Sequence, residues 1–213
     1  MRMATFNILH GRSIDDGKVD VDRLADCVRR LDADVLALQE VDCDQPRSAM
    51  ADLTAVAAEA MGAVSHRFVA AVSGTPGASW MAATGHEQPG TASYGIALLS
   101  RFDTDLGPLT VANTHLSFVP GWNRVQLRRL TRDLRGFPGP RVLMGDLTMS
   151  PPTPQHWTRL RPLATALTFP IATPNRQLDH ILTDDARLVA DTCSAPTLSI
   201  SDHRPLIIDV SRQ

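Results

Sequence analysis

Several residues able to do chemistry fall where short apolar runs begin or end. Glu40 follows Asp34–Leu38 and Gln39. His115 follows Val111-Ala112-Asn113-Thr114, and Asp146 follows Arg141–Met144. Asn7 sits inside the first apolar run, Asp179 and His180 lie in QLDHIL, and Asp202 and His203 lie in SDHRPL. A carboxylate at a buried strand end is costly unless it binds a cation or is paired. If these ends converge, they form a cup of oxygen ligands. Hard oxygen ligands with few cysteines favour Mg²⁺ or Mn²⁺ over zinc. Each residue also has a plainer reading. A single Asp after a strand caps the next turn, a single core His is a hydrogen-bonded structural residue, and Asn7 alone is a strand-end turn former. The ordered set is what the plainer readings leave unexplained.

The elements that must position these residues alternate along the chain. Strands are expected at Thr5–Leu9, Asp34–Leu38, Arg67–Val72, Tyr94–Ser100, Leu109–Thr114, Arg141–Met144, Leu178–Leu182, Arg187–Asp191 and Pro205–Val210. The second of these ends in Gln39-Glu40. Helices are expected at Asp20–Leu31, where Val21, Leu24, Val28 and Leu31 make one apolar face, and at the alanine-rich Ala49–Met61, closed by Gly62. Two more are expected at Gly121–Arg135 and Pro151–Leu160. Ser73–Ser93, rich in Gly, Pro, Ser and Thr, reads as a long loop. Strands alternating with helices early, and strands in series late, indicate an α/β protein with a mixed sheet or two sheets.

The chain has 213 residues, the size of one substantial domain. It has no uninterrupted apolar run long enough to span a membrane and no recognisable signal peptide, so a cytoplasmic location is the default expectation. Cys27, Cys43 and Cys193 are far apart, which supports neither a disulfide framework nor a zinc cluster; Cys27 and Cys193 read as buried free thiols. A net charge of −2 argues against non-specific duplex binding over the whole surface, without excluding a nucleic-acid substrate.

TFNI, LQEVD, SYGIALLSR, NTHLS, GDLT, LDHIL and SDHRPL, in this order, resemble the endonuclease/exonuclease/phosphatase superfamily from Asn7 to Leu206. That superfamily includes DNase-like nucleases, abasic-site endonucleases, deadenylases, inositol phosphatases and sphingomyelinases. The resemblance implies one domain over 1–213, a two-sheet β-sandwich flanked by helices (four-layer αββα, DNase I-like). It also implies metal-dependent cleavage of a phosphoester by water. By the same resemblance Glu40 is the main ligand of Mg²⁺ or Mn²⁺, Asn7 supports metal and substrate, and Asp202 joins the metal shell. His115 contacts the scissile phosphate, Asp146 orients or deprotonates the attacking water, and Asp179 pairs with His203, which binds phosphate or serves in acid/base work.

These residue types suit that chemistry. A phosphodiester is anionic, so attack by hydroxide meets charge repulsion, which a divalent metal offsets. A carboxylate within hydrogen-bond reach can align one water. Imidazoles donate to the oxygens that gain charge in the transition state, and an Asp179 carboxylate beside His203 would keep that ring cationic.

The chain departs from the family pattern at two places. Thr148 stands where asparagine is usual in GD-x-N, and one hydroxyl close to the backbone cannot both donate and accept at the reach of an amide. Three explanations stand: a water fills the gap, rate or substrate is altered, or the site is inactive. The retained acidic and imidazole residues weigh against the last. The second departure is the short stretch between Ser100 and His115, RFDTDLGPLTVANT, where an extra strand is usual. Tyr94, Trp122 and Arg124 are candidate substrate contacts. Trp80 belongs to a loop that could line the cleft, and Phe118, Pro120 and Trp122 to a cleft wall. The arginines of GWNRVQLRRLTRDLRG form either a solvated helix face or a phosphate-tracking surface. The leading expectation is a phosphodiesterase or nuclease acting on a phosphate ester, with no obligate protein partner. The alternatives are a phosphomonoesterase, a phospholipid-headgroup phosphodiesterase, and a catalytically weakened binding module.

Overall fold

The computed structural model describes residues 1–75, 78–101 and 106–213. In chain order its elements are β1 Arg2–Asn7, α1 Val21–Leu31, β2 Val35–Cys43, α2 Leu53–Met61, β3 Ser65–Thr75, β4 Ser79–Ala82, β5 Ser93–Ser100 and β6 Thr110–His115. There follow α3 Trp122–Leu134, β7 Arg141–Asp146, α4 Thr153–Thr158, β8 Arg161–Pro162, β9 Asp179–Thr183, β10 Leu188–Ser194 and β11 Leu206–Arg212.

The strands form two sheets, one ordered β10-β11-β1-β2-β5-β3-β4 and the other β6-β7-β9-β8. Alternation along β1 explains the layering, because successive side chains point to opposite faces. Ala4 and Phe6 face α1 and α2 and pack with Leu24, Val28, Leu31, Leu53 and Ala57. Met3 faces the other way and packs between the sheets with Ala37, Val142, Met144, Ile181 and Ile208. On the far side of the small sheet, Leu143 and Leu182 pack with Leu127 and Leu134 of α3 and with Leu160. The result is the expected four-layer order: helices, large sheet, small sheet, helices.

Each sheet contains one parallel pair, β1 with β2 and β6 with β7. The carboxyl ends of parallel strands are where open α/β sheets place their ligands. Gly145 is required at the end of β7: its φ is 137°, and an added Cβ would lie 2.0 Å from the Thr114 carbonyl oxygen. The two sheets are also pinned by hydrogen bonds. The Asn113 amide on β6 donates to the carbonyls of Leu38 and Ala97, each at 2.8 Å, and accepts from Gln39 Nε2 at 2.7 Å.

Several boundaries differ from the sequence reading. Helix α2 begins at Leu53, because Ala49 and Met50 are left-handed and the Asp52 carboxylate caps the amides of Thr54 and Ala55. Within the expected loop Ser73–Ser93 lie the end of β3 and the strand β4, which pairs with it antiparallel; turn-forming residue types hid this edge hairpin. β2 does not end at Glu40 but runs on to Cys43. β1 stops at Asn7, where Ile8 turns into a short 3₁₀ segment. Cys27 is buried as expected, whereas Cys193 is exposed, since β10 lies at the outer edge of its sheet. The short stretch between Ser100 and His115 lies partly outside the described residues. Among the described residues no helix is long and apolar enough to cross a membrane.

Candidate active site

Asn7 ends β1 and sits beside Gln39 in the parallel register, so Glu40 comes next to it. Glu40 is in the left-handed conformation, with φ of 58°. The β2–β5 register shifts there, between Gln39 and Val41. This bulge is the local reason a carboxylate projects from mid-strand, since bulges re-aim side chains. The Asn7 amide bridges the two sheets, its Nδ2 donating to Glu40 Oε1 at 3.0 Å and to Asp146 Oδ2 at 3.2 Å. Its carbonyl accepts from the Leu9 amide at 3.2 Å, which fixes which way the side-chain amide faces.

His115 and Asp146 end the adjacent strands β6 and β7 and are paired in register. His115 Nε2 lies 3.6 Å from Asp146 Oδ2. His203 Nε2 lies 3.7 Å from the same oxygen. His203 Nδ1 is 2.9 Å from Asp179 Oδ2, on the first residue of β9. The loop carrying His203 is locked to β1 by Ser201, whose hydroxyl donates to the Asn7 carbonyl at 2.5 Å and accepts from the His203 amide at 3.0 Å. Phe169 packs against the imidazole with ring centroids 4.8 Å apart. Residues far apart in sequence thus meet around one oxygen, Asp146 Oδ2.

The electrostatics follow from burial and charge. Asp146 is pushed up to about 6 by burial and by the negative charge of Asp179, against the pull of His115 and His203. Burial pushes His203 down, but the hydrogen bond and charge of Asp179, helped by Asp146 and Asp202, outweigh it and hold the ring at about 9. Asp179 Oδ1 is buried with no hydrogen-bond partner among the described residues. A water aligned on Asp146 and a cationic His203 are therefore compatible at neutral pH.

The other expected site residues are placed differently. Asp202 is half-buried and reaches His203 by its charge. Tyr94 is hydrogen-bonded to Glu40, and burial raises its phenol far above the usual range. Trp122 and Arg124 are exposed on the first turn of α3, with Arg124 6.0 Å from the Trp157 ring rather than in the Asp146 cluster. Thr148 has φ of 53° and turns its hydroxyl to the carbonyls of Ser117 and Leu147, at 2.9 and 2.8 Å, while its amide donates to Asp146 Oδ1 at 2.8 Å. His180 is a structural histidine, its Nε2 2.8 Å from the Met149 carbonyl oxygen.

Some contributors escaped the sequence reading. Arg47 grips the fully buried Asp42 with two hydrogen bonds of 2.8 and 2.7 Å and lies 5.4 Å from the Tyr94 ring centroid, bracing the Glu40 bulge. Trp80, expected from the sequence in a loop, lies on β4 and meets Tyr94 edge-on, with centroids 5.5 Å apart. Asp42, two residues after Glu40 in LQEVD, carried the only signal: another carboxylate in an apolar run.

Residues 4–203 match the model of the Endonuclease/Exonuclease/phosphatase family, and the chain belongs to that family. Its members are divalent-metal-dependent phosphoesterases, among them nucleases, phosphatases and sphingomyelinases. No curated protein sequence matches the chain. An endonuclease/exonuclease/phosphatase from Beutenbergia cavernae shares the fold, with a TM-score of 0.75 and 22% identity over 100% of this chain and 71% of that one. A mannosyl-6-phosphatase from Bacteroides thetaiotaomicron has a TM-score of 0.66 at 15% identity, covering 99% of each chain. A beta toxin variant from Staphylococcus aureus, solved with bound magnesium ions, has a TM-score of 0.63 at 12% identity over 97% of this chain and 98% of that one.

The residues present fit a divalent cation. Asp146, Asp179 and His203 bring polar atoms within 4.8 Å of one another, and because Asp179 holds the His203 ring cationic, the atoms left for a cation are carboxylate oxygens. Glu40 joins them through Asn7, and the acidic charge exceeds what His203 can balance. Carboxylate oxygens in excess suit a hard ion such as Mg²⁺ or Mn²⁺.

Proposed function

We propose that this chain is a Mg²⁺- or Mn²⁺-dependent phosphodiesterase of the nuclease type. The observation that carries the reading is the convergence of Asn7, His115 and His203 on the Asp146 carboxylate, with Glu40 joined to it from the other sheet through the Asn7 amide. Glu40 and Asp202 would hold the cation, with Asn7 fixing the Glu40 carboxylate through its amide. When bound, the cation supplies neutralisation of a non-bridging phosphate oxygen.

Asp146 aligns the attacking water and takes up its proton. Its carboxylate is held on one oxygen by the Thr148 amide and on the other by Asn7. His115 and His203 donate to the phosphate oxygens that gain charge, each such donor contributing roughly 3 kcal/mol to the barrier reduction. Asp179 keeps His203 protonated and correctly turned. Tyr94 positions Glu40, and Trp122 and Arg124 would contact a longer substrate if it passed along α3. If the diester is a nucleic-acid strand, the arginines of that helix would meet its phosphates.

The mannosyl-6-phosphatase similarity favours a phosphomonoesterase as the second reading. The test is a panel of bis-p-nitrophenyl phosphate, p-nitrophenyl phosphate, sphingomyelin and a labelled oligonucleotide, each with Mg²⁺ and with Mn²⁺. Turnover of diesters above the monoester, lost in Glu40→Ala, is the expected result. Preference for the monoester would move the assignment to the second reading. No turnover at all would leave a binding module.

A further inference from the structure

Thr148 turns its hydroxyl away from Asp146 and into a knot of buried polar groups. Its one proton is placed between the carbonyls of Leu147 and Ser117. On the other side the hydroxyl accepts from Asn123 Nδ2 at 3.4 Å. Asn123 lies in the first turn of α3 and is 6% exposed. Its Oδ1 is buried with no partner among the described residues. A buried, unsatisfied amide oxygen is a cost that an apolar residue here would avoid. The same knot holds the segment after His115, because the Ser117 amide donates to Gln126 Oε1 at 2.8 Å.

Thr148 needs such support. It is β-branched and adopts a left-handed φ of 53°, where asparagine is tolerated and threonine is strained. That conformation directs its backbone amide onto Asp146 Oδ1.

We propose that Asn123 is a positioning residue that stands in, from helix α3, for the amide side chain missing at position 148. It clamps the Thr148 hydroxyl, and the clamp keeps the strained turn closed and the Thr148 amide on Asp146. The first turn of α3 is thereby tied, through Thr148, to the water-orienting carboxylate. This inference rests on the proposed role of Asp146.

The experiment uses the full chain with Mn²⁺ and bis-p-nitrophenyl phosphate, alongside amide hydrogen exchange over residues 145–149. Asn123→Ala is expected to lower kcat about ten-fold, the fold-change of one net hydrogen bond, with KM within about two-fold. The Thr148 amide should exchange about ten-fold faster. In a Thr148→Asn background, which restores the amide in the turn itself, Asn123→Ala should change kcat less than two-fold or so. Thr148→Val removes the clamped hydroxyl with little change of shape, and it should reproduce the loss even if Asn123→Ala fails to fold. An unchanged Thr148 amide in both single variants overturns the proposal, as does an equal loss of kcat in both backgrounds. If the parent chain turns over nothing, the functional reading fails alone, and the exchange rates still decide whether the clamp exists.

Discussion

At the level of single residues, the roles proposed for Asp146 and His203 predict the working pH. Asp146 must be ionised to align water, and burial beside Asp179 has raised it to about 6. His203 must be protonated to donate, and Asp179 and Asp146 together outweigh its burial to hold it at about 9. As pH falls through about 6 the carboxylate is lost, and as pH rises through about 9 the imidazolium is lost. The profile of kcat/KM should therefore be a bell with those two limbs. Asp179→Asn removes the charge that raises His203, so the alkaline limb should move to lower pH by about one unit or more. An alkaline limb that stays in place would show that another group titrates there. The types and order of these residues were legible in the sequence because chemistry dictates type. Where the Thr148 hydroxyl points was not, because that depends on a left-handed φ and on a helix partner reached through space.

At the level of elements, backbone geometry places the site. The Glu40 bulge and the Gly145 close approach each put a carboxylate where a regular strand would not. Gly145→Ala would force a Cβ against the Thr114 carbonyl and part β6 from β7, at a cost of roughly 3 kcal/mol or more. A urea melt checks this, and a midpoint matching that of the parent would rule out the close approach. The strands of the core were legible from apolar runs bounded by turn residues. The edge hairpin β3–β4 was not, because its exposed residues need not be apolar and its turn residues read as loop. The continuation of β2 past Glu40 was hidden for a related reason: an acidic residue in mid-strand reads as a terminus unless the bulge is seen.

At the level of the molecule, neither sheet holds the site alone. The large sheet brings Asn7 and Glu40, the small sheet brings His115, Asp146 and Asp179, and the loop before β11 brings His203. Packing between the sheets and the Asn113 pins set the spacing of the two halves. Family membership was legible from seven short motifs because each carries a candidate site residue: Asn7, Glu40, Tyr94, His115, Asp146, Asp179 or His203. The most direct measurement is steady-state hydrolysis of bis-p-nitrophenyl phosphate with Mn²⁺ by the parent chain, Glu40→Ala from one sheet and Asp146→Asn from the other. Metal-dependent turnover by the parent, falling at least about a hundred-fold in each variant, is the predicted result. Turnover that persists unchanged in Asp146→Asn would contradict it.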